Sequence, residues 1–368
     1  MLCPFCGRNE SEMVFYQESP LYLSALRKEK ANLNKTYPFS VYLCRYCGLG
    51  FNGSPAPQEK LKEIYDNYVY IDPFKNIGNS PFDYIVNIIK KHSNKNDKIV
   101  EIGSSVGFLL RRLKDCGYRD LLGIDPSPQA DVAVSKGLNV RKSYYGADDF
   151  GKEIDLFVLR HVFEHFANPF EIFKNMISQL KPKGKIIVET PNFDGFYHQH
   201  LFFYSLFFYI NLAKAYDLKI IDYETYNDAI IVVFSNCGTS IKNTGGTTAQ
   251  LAQTARFKRD RLDKNVKKLK EFLRKYDTVY CWGTGAFSVI LLSELSSEDL
   301  RDTVIYPLDS DISRKGLYLP NITQPVLNVQ DIKDSKPQAL AILSSLTQEI
   351  KNVMKTYHIT PLNTLELD

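Results

Sequence analysis

Residues 98–117, KIVEIGSSVGFLLRRLKDCG, decide the fold because they pass from a strand to a helix through a glycine-containing turn. Lys98–Gly103 is a short apolar stretch typical of a buried strand, and a helix is predicted after Gly107. Small residues in the turn let a ligand approach the backbone, and the start of a helix offers free N–H groups. The stretch therefore predicts a βα unit with a ligand site near Glu101, Gly103 and Gly107.

Further βα units follow this first one along the chain. Strands are predicted at Leu121–Asp125, from Ile154 onward, and at Lys185–Pro191. A helix between the last two strands is predicted to have Asn168 as its N-cap and to stop near Pro182. Repeated βα units indicate a mostly parallel sheet, so the predicted fold class is α/β.

The second strand ends in an acid, Asp125, which is placed to accept hydrogen bonds from two ribose hydroxyls. The preceding turn, Gly103-Ser104-Ser105-Val106-Gly107, departs from the G-x-G-x-x-G pattern of NAD-binding folds, because a serine takes the middle small position. A nucleotide-type ligand other than NAD is therefore indicated. Another doubly wound nucleotide-binding fold stays open as an alternative.

Two Cys-x-x-Cys-Gly turns lie near the N-terminus, at Cys3–Gly7 and Cys44–Gly48. Each turn can offer two thiolates to one ion, and glycine after the second cysteine permits the positive φ that such a turn needs. Two such turns predict a closed, tetrahedral four-sulfur zinc site with a structural role, formed by Cys3, Cys6, Cys44 and Cys47. A pair of redox dithiols is the alternative, and the other three cysteines are scattered as core residues are: Cys116, Cys237 and Cys281.

Length and charge limit the classes of function. The chain has 368 residues, which predicts two or three domains, and its net charge of +4 gives no strong attraction to nucleic acid. The N-terminal sequence MLCPFCGRNE lacks the features of a signal peptide. The apolar run at 201–212 is shorter than the ~20 residues that cross a bilayer. We expect a cytoplasmic protein without a membrane partner, in which paired cysteines bind metal rather than form disulfides.

The most basic stretch, 256–275, predicts an amphipathic helix with a solvated basic face. Its apolar residues recur at spacings of mostly three and four, at Phe257, Leu262, Val266, Leu269 and Leu273. Before it, the polar, glycine-rich stretch 237–250 is typical of a linker.

Residues 277–295, DTVYCWGTGAFSVILLSEL, repeat the plan of strand, glycine turn and helix, with Gly283 and Gly285 in the turn. The next strand is predicted to end at Asp309. A second glycine turn suggests a second phosphate-sized ligand, and a purely structural βα turn is the alternative. The predicted organisation is a zinc module and linker at 1–80, a central domain at 81–240 and a C-terminal Rossmann-like domain at 241–368.

The motifs VEIGSSVGFLL, GIDPS, HVFEH and LKPKGKIIVETPN, in this order and spacing, resemble class I S-adenosylmethionine-dependent methyltransferases. The resemblance implies a Rossmann-like parallel sheet and the methionine end of the cofactor near Glu101 and Gly103. It implies ribose on Asp125 and adenine near Asp148 or Asp149. The further cofactor contacts that we expect from it are Ser104, Ser105, Gly107, Phe108, Pro126, Arg160 and His161.

The zinc motif, this central domain and Tyr197-His198-Gln199-His200 together resemble a narrower group, the C-methyltransferases of nucleotide-linked keto-sugars. That group carries Tyr-His-Glu-His after the fifth strand, followed by an aromatic-rich start to a helix, and its C-terminal domain contacts the substrate nucleotide. The resemblance implies His200 as the base, Tyr197 and His198 beside it, and His165 as a second pocket histidine. It adds Tyr70 and Tyr204 as pocket tyrosines, and Gly283, Gly285 and Asp309 as contacts of the nucleotide-sugar.

The expected chemistry is removal of a proton beside a ketone. The charge left behind spreads onto oxygen as an enolate, and the carbon then attacks the methyl group of the sulfonium. Histidine suits the base because its unperturbed pKa of ~6.5 lies near working pH. Tyr197 would orient the sugar or donate to the enolate oxygen.

Gln199 departs from the group's glutamate, because glutamine keeps the hydrogen-bonding reach and lacks the charge. An O-methyltransferase acting on a sugar or glycan precursor is therefore the first alternative. A zinc-containing RNA base methyltransferase and a cofactor-binding regulator without activity are the other two.

Overall fold

The computed structural model describes residues 1–32, 36–57, 59–60, 63–64, 80–146, 150–226, 228–344 and 346–367. The strands and α-helices of these residues are, in chain order, β1 (Ser11–Pro20), α1 (Lys28–Ala31), β2 (Thr36–Cys44), β3 (Gly50–Asn52), α2 (Ser80–His92), β4 (Ile99–Ile102), α3 (Phe108–Asp115), β5 (Leu121–Ile124), α4 (Gln129–Ser135), β6 (Val140–Arg141), β7 (Ile154–Arg160), α5 (Pro169–Gln179), β8 (Leu180–Pro191), β9 (Phe202–Phe203), α6 (Leu206–Ala215), β10 (Lys219–Tyr226), β11 (Ala229–Ser235), α7 (Thr248–Leu273), β12 (Thr278–Trp282), α8 (Ala286–Ser293), β13 (Val304–Asp309), β14 (Leu327–Asn328), β15 (Ala339–Leu343), α9 (Thr347–Thr356) and β16 (Asn363–Leu367). Among the described residues, no helix is both long enough and apolar enough to cross a bilayer.

The central part of the chain forms a seven-stranded sheet with the order β10-β11-β8-β7-β4-β5-β6. Strands β8, β7, β4, β5 and β6 are parallel, whereas β11 is antiparallel to both of its neighbours. The strand of the first predicted βα unit, β4, lies at the centre of the parallel part. The α/β class and the class I Rossmann-like methyltransferase fold predicted from the sequence are confirmed by this arrangement.

Helices cover both faces of this sheet, which explains why its central strands are apolar at most of their inner positions. Residues of β7 alternate between the two sides, so that Leu156 and Val158 pack with α2 and α3. Phe157 and Leu159 point to the other side and pack with α5 and α6. The sheet therefore lies between two helix layers, and only its strand ends are free to form a site.

Helix α5 begins where the sequence predicts and ends earlier. Asn168 precedes it, and its side chain makes no capping hydrogen bond, while Pro169 takes the first helical position. The helix stops at Gln179, because Leu180 is already extended and pairs with Ile154 of β7. A residue before a proline also avoids helical backbone, so Lys181 is extended and Pro182 lies inside β8 rather than at the end of the helix.

A second, antiparallel sheet has the order β1-β2-β3-β9 and joins the N-terminal residues to the middle of the chain. Its edge strand β9 comes directly after Tyr197–His200, in a segment where the sequence predicts the start of a helix. The helix prediction is wrong here because Phe202 and Phe203 pair with Phe51 and Gly50. Helix α6 begins after Ser205, whose side chain accepts from the backbone N–H of Phe208.

The third sheet is wholly parallel, with the order β14-β13-β12-β15-β16. The predicted glycine turn follows its central strand, β12. Leu23 and Ala25, which follow β1, pack into the same core cluster as β12, α7 and α8. The N-terminal residues therefore contact the C-terminal sheet as well as the central one.

The basic helix α7 starts at Thr248, earlier than predicted, because Thr247 and Gln250 form a capping box. Leu262, Leu269 and Leu273 are buried in the C-terminal core, as the apolar spacing predicts. The prediction is wrong for Phe257, which is 63% exposed. The added turns at the start of the helix bury Ala252 and Ala255 instead.

Replacing Leu269 with alanine should lower the free energy of unfolding by about 2–5 kcal/mol, because this fully buried side chain leaves a cavity in the C-terminal core. The matched change Phe257→Ala should alter it by less than about 0.5 kcal/mol. Urea unfolding can be followed by the fluorescence of Trp282, the single tryptophan of the chain and a residue of the same sheet. Equal losses in the two variants would contradict this assignment of the helix faces.

Candidate active site

Charged side chains collect where the parallel strands of the central sheet end. Glu101 on β4, Asp125 after β5 and Glu189 on β8 are buried there, with Arg160 at the end of β7. Because the carboxyl ends of parallel strands lie on the same edge of a sheet, these residues form one site. The structure thus brings together three of the predicted cofactor residues, Glu101, Asp125 and Arg160.

Glu101 is 4% exposed, and its Oε2 has no hydrogen-bond partner among the described residues. Burial raises the pKa of Glu101 to about 8 against the opposing effect of Arg160, and the nearby acids Asp125 and Glu189 raise it further. The carboxyl group is therefore mostly neutral at pH 7 and would ionise beside an added cation. Its unpartnered oxygen fits the ammonium group at the methionine end of S-adenosylmethionine, the end that the resemblance places here.

The turn after β4 needs its first glycine for a local reason. Gly103 has φ +78°, and a Cβ atom there would lie 2.8 Å from the side chain of Val162. Ser104, next to it, is buried, and its Oγ has no hydrogen-bond partner among the described residues. The turn then leads through Gly107 into α3.

Asp125 is held by the turn that it faces. Its Oδ2 accepts from the backbone N–H of Ser105 at 2.7 Å, and its Oδ1 accepts from the backbone N–H and the hydroxyl of Ser127 at 2.8 and 2.5 Å. A carboxylate has about four acceptor positions, so one remains, on Oδ2, for a ribose hydroxyl. The predicted contact with two hydroxyls stays a prediction.

Other predicted cofactor residues differ in their surroundings. Pro126 is exposed at the same strand edge as Asp125. Phe108 is buried, with its ring centroid 4.2 Å from that of Phe82, so it packs inside the domain. Asp148, like its neighbour Asp149, lies outside the described residues.

Behind Glu101 lies a row of alternating charges. Arg160 Nε is 3.0 Å from Glu189 Oε2, and His161 Nε2 is 3.1 Å from Glu189 Oε1. On its other side, His161 Nδ1 lies 3.6 Å from Glu164 Oε1. The row therefore runs from the end of β7 to the short 3₁₀ turn Phe163–His165.

The charge states in this row follow from their neighbours. Burial alone would lower the pKa of His161, but the carboxylates of Glu164 and Glu189 outweigh it and raise that pKa to about 9. Burial by itself would raise the pKa of Glu164. The opposing effect of His161, to which His165 and His200 add, is larger and lowers that pKa to about 2. At pH 7 the row therefore holds an imidazolium between two carboxylates.

The row ends at the two histidines that the sequence predicts for the pocket. His165 and His200 pack edge to face, with ring centroids 4.8 Å apart. One ring nitrogen from each histidine and one carboxylate oxygen of Glu164 all lie within 4.8 Å of one another. One carboxylate and two imidazoles are also a donor set that could hold a divalent cation.

His200 has a defined tautomer, because its Nδ1 lies 2.7 Å from the carbonyl oxygen of Gly195 and donates to it. The lone pair of Nε2 is left for another proton. Burial lowers the pKa of His200 to about 3, with His165 adding to the effect and Glu164 opposing it, so the ring is neutral at pH 7. Gly195 is needed for this contact, since it has φ +60° and a Cβ there would lie 2.8 Å from the His200 ring.

Hydrogen bonds from two other parts of the chain hold the loop that carries these residues. Asn52 on β3 donates to the carbonyls of His198 and His200 at 3.2 and 3.5 Å. The backbone N–H of Leu201 donates to the carbonyl of Glu164 at 2.8 Å. The loop is therefore tied both to the N-terminal sheet and to the turn after β7.

His198 points away from His200. It is 1% exposed, its Nδ1 lies 3.3 Å from the hydroxyl of Ser19 on β1, and burial lowers its pKa to about 4. The structure thus separates the two histidines of the motif, and His198 contacts the N-terminal sheet rather than the cluster around Glu164.

The remaining predicted pocket residues fall into three groups. Tyr197 is half-buried with its ring 5.5 Å from His200, and Gln199 is half-buried with its carbonyl accepting from His165 Nδ1 at 3.1 Å. Tyr204 is fully buried in the core and donates to the carbonyl of Phe163, so the prediction that it reaches the pocket is corrected. Tyr70 lies outside the described residues.

In the C-terminal sheet the predicted substrate residues lie together. Gly283 has φ +119°, and a Cβ there would lie 2.6 Å from the carbonyl oxygen of Leu343, so packing alone requires this glycine. Asp309 accepts from Thr284 Oγ1 at 2.5 Å, and Arg314 donates to the same hydroxyl at 2.6 Å. Gly285 lies in open space at the start of α8. The nucleotide contact of these residues stays a prediction.

The four N-terminal cysteines are brought together. Sγ of Cys3 is 3.6 Å from Sγ of Cys47, Sγ of Cys6 is 3.7 Å from Sγ of Cys44, and all four sulfurs lie within 4.8 Å of one another. Zn–S bonds of about 2.3 Å in a tetrahedron require sulfur separations near 3.8 Å. Gly7 and Gly48 have φ +69° and +76°, and each donates its N–H to the first cysteine of its turn. The donor set and its geometry fit zinc.

Sequence reasoning missed Glu164, Glu189, Asn52 and Gly195. Two of these had a signal, since Glu164 lies inside the motif HVFEH and Glu189 is a charged residue directly after the apolar residues 186–188. Asn52 and Gly195 had none, because their roles depend on the distant residues that they contact.

The comparisons with known proteins concern the domain that carries this site. Residues 79–223 match a family model described as a methyltransferase domain. The C-methyltransferase NovU of Streptomyces niveus is 24% identical over 262 residues, which is 63% of this chain and 60% of NovU. The ubiquinone biosynthesis O-methyltransferase of Rickettsia bellii (strain OSU 85-389) is 28% identical over 119 residues, 30% of this chain and 49% of that protein.

A third relative has a name that refers to tRNA. It is the tRNA U34 carboxymethyltransferase of Aliarcobacter butzleri (strain RM4018), which is 29% identical over 124 residues, 30% of this chain and 39% of that protein. The chain thus spans between about two fifths and three fifths of the length of these curated relatives. Among solved structures, PH0226 protein from Pyrococcus horikoshii OT3 is 19% identical with a TM-score of 0.40, covering 47% of this chain and 98% of that one. The middle of this chain is an S-adenosylmethionine-dependent methyltransferase domain.

Replacing Glu101 with glutamine should stabilise the ligand-free protein at pH 8 and leave it nearly unchanged at pH 5. The raised pKa of Glu101 means that its favourable contribution is complete below about pH 4.5 and is lost as the pH rises toward 8. The difference in unfolding free energy should grow by at most about 1.4 kcal/mol per pH unit. Urea unfolding at several pH values measures it, with the exposed change Glu271→Gln as control. A variant that follows the pH profile of the unaltered protein would contradict the assignment.

Proposed function

We propose that this chain, with its S-adenosylmethionine-dependent methyltransferase domain, transfers a methyl group to the carbon beside the ketone of a nucleotide-linked deoxy keto-sugar. The observation that carries the proposal is the state of His200. Its Nδ1 proton is committed to the carbonyl of Gly195, and its Nε2 is free of a proton in a buried ring that is neutral at pH 7. A single row of charged side chains connects this ring to the carboxyl ends of β7 and β4.

His200 would act as the base. Nε2 takes the proton from the sugar carbon, and the electron pair of the broken C–H bond moves onto the keto oxygen. The Nδ1 hydrogen bond to Gly195 keeps the ring in one orientation throughout. Because the ring is buried, little water competes with the substrate for Nε2.

Tyr197 would hold the sugar. Its ring lies beside His200 on one side and packs against the C-terminal core on the other. Burial raises the pKa of its hydroxyl, with Asp194 and Asp228 adding to the effect, so the phenol stays protonated and can donate to the enolate oxygen. Gln199, whose backbone carbonyl accepts from His165 Nδ1, has a neutral amide side chain where the resembling group has a carboxylate.

S-adenosylmethionine, when bound, supplies an electrophilic methyl group on a sulfonium sulfur. Glu101 is the residue that would ionise against its ammonium group, and Asp125 has one acceptor position for its ribose. The identity to C-methyltransferase NovU, which extends beyond the methyltransferase domain to 63% of this chain, supports a carbon acceptor.

The proposal includes a structural zinc ion on Cys3, Cys6, Cys44 and Cys47. Four thiolates leave no open position for a substrate, so the ion would stabilise the N-terminal turns rather than take part in the reaction. The ion would fix β2 and the start of β3, and therefore Asn52, which donates to the backbone of the His200 loop. Its effect on activity would be indirect.

O-methylation of a sugar hydroxyl is the second candidate, and two observations favour it. Gln199 lacks the charge of the group's glutamate, and a ubiquinone biosynthesis O-methyltransferase is among the relatives. The same His200 could take the proton of a hydroxyl, so the two candidates differ in the substrate rather than in the base.

The test is an assay with labelled S-adenosylmethionine, a panel of nucleotide-linked keto-sugars and the same sugars with the ketone reduced. We expect methyl transfer only to the keto-sugars, and NMR of the product should show a carbon-bound methyl group. In D₂O the acidic hydrogen of the keto-sugar should exchange. Transfer to the reduced sugars would establish the oxygen acceptor instead, and transfer only to added tRNA would reject both.

The change His200→Ala should lower kcat by about 10²–10⁴-fold and leave binding of S-adenosylmethionine intact, because it removes the base and no cofactor contact. His198→Ala is the matched variant, and its loss should stay below about tenfold, since this ring contacts Ser19. Turnover and isothermal titration of the cofactor measure the two effects. An unchanged rate in His200→Ala would exclude His200 as the base.

Purified protein should contain one zinc ion per chain by elemental analysis, and Cys47→Ser should lose it. The loss should lower the thermal unfolding temperature, because the metal–thiolate bonds stabilise only the folded N-terminal turns. Cys281→Ser, at a buried cysteine of the C-terminal sheet, should keep the full zinc content. Absence of zinc from the unaltered protein prepared without chelators would contradict the assignment.

A further inference from the structure

We propose that Glu164 is a positioning residue whose carboxylate balances the charge of His200 when that imidazole carries the substrate's proton, a role that rests on the proposed function. In the nucleotide-sugar C-methyltransferases that this chain resembles, the third residue of the Tyr-His-Glu-His motif is a glutamate, and this chain has Gln199 at that position. The structure assigns the missing negative charge to a different element, the 3₁₀ turn after β7.

The geometry of Glu164 carries this inference. The residue is 1% exposed, and neither carboxylate oxygen makes a hydrogen bond among the described residues. A buried carboxylate without hydrogen bonds is costly unless charges nearby stabilise it. Its ligand atom lies within 4.8 Å of those of His165 and His200, so it faces both rings of the pocket.

Among the described residues, three imidazoles and two phenols lie near Glu164. The Nδ1 atom of His161 lies 3.6 Å from Glu164 Oε1, and the Nε2 atom of the same ring lies 3.1 Å from Glu189 Oε1. His165 and His200 face it from the 3₁₀ turn and from the loop. Two phenols also lie near it, those of Tyr204 and Tyr209, and they are bonded elsewhere, to the Phe163 carbonyl and to Thr190. His200 is therefore the one of these groups that the proposed reaction charges.

The proton balance is simple. The proton leaves the sugar carbon and binds His200 Nε2, the electron pair moves onto the keto oxygen, and Glu164 stays ionised throughout. A neutral ring would become a buried cation, which is unfavourable unless an opposite charge lies within about 4–6 Å. Glu164 provides that charge without contacting the substrate, and the backbone bond from Leu201 N–H to its carbonyl keeps the loop and the turn in register.

Glu164→Gln, Gln199→Glu and the double variant test the inference. We expect Glu164→Gln to lower kcat and the rate of substrate hydrogen exchange in D₂O by about 10- to 10³-fold, with KM and cofactor affinity changed less than threefold. The double variant should recover at least tenfold of this loss, because position 199 adjoins His200 in the chain and contacts His165 through its backbone carbonyl, so a carboxylate introduced there restores a negative charge near the two rings. A structural role for Glu164 would not be rescued from position 199.

A second readout needs no substrate. In ¹⁵N-histidine-labelled protein, NMR at the lowest pH at which the chain stays folded should show a protonated fraction of His200 at least tenfold lower in Glu164→Gln than in the unaltered protein. An equal protonated fraction would overturn the inference even if no keto-sugar is a substrate. Conversely, a lack of turnover with every keto-sugar, together with the expected NMR change, would reject the proposed function alone.

A divalent cation is the competing explanation for the cluster of Glu164, His165 and His200. Turnover that rises several-fold on addition of Mg²⁺ or Mn²⁺, and that no longer does so in Glu164→Gln, would make Glu164 a metal ligand and overturn the inference. Under the proposal these ions leave the rate unchanged.

Discussion

The site depends on one buried ion arrangement, the His161 imidazolium between Glu164 and Glu189. Each of these carboxylates is almost without contact with water, and each is ionised because a cation faces it. Removing one partner of such a group leaves the others as unpaired buried charges, which costs several kcal/mol. His161 adopts φ +48° to take its place, and its backbone N–H donates to the carbonyl of Glu189 at 2.9 Å.

This arrangement connects two halves of the chemistry. Toward β4 it leads through Arg160 to Glu101, the neutral acid with an open oxygen. Toward the loop it leads through Glu164 to His200, the neutral base. A cofactor that brings a positive charge and a substrate that gives up a proton thus meet opposite ends of one row of charges.

Three parts of the chain hold the loop that carries His200. Asn52 and Ser19 reach it from the N-terminal sheet, and Glu164 holds Leu201 from the central one. Tyr197 packs against the core of the C-terminal sheet. The four cysteines lie far along the chain from the reacting atoms and still bear on them, because β3 follows directly from the second cysteine turn and carries Asn52.

The sequence by itself determined the features that depend on local patterns. Apolar strands, the positive φ of the glycines after the cysteine pairs, the βα order and the acids at strand ends all follow from residues within a few positions of one another, and the α/β fold class follows from their repetition. The tertiary structure alone decided the pairing of Phe202 and Phe203 and the burial of Tyr204, since each depends on a partner distant in sequence. It also separated His198 from His200, two residues that are close together in the motif and face different sheets. A pattern can name the residue types of a site, but the neutral state of His200 arises only when distant groups bury its ring. Glu164 stays ionised in spite of its burial because the His161 imidazolium faces it, and Glu189 of another strand helps to keep that imidazolium charged.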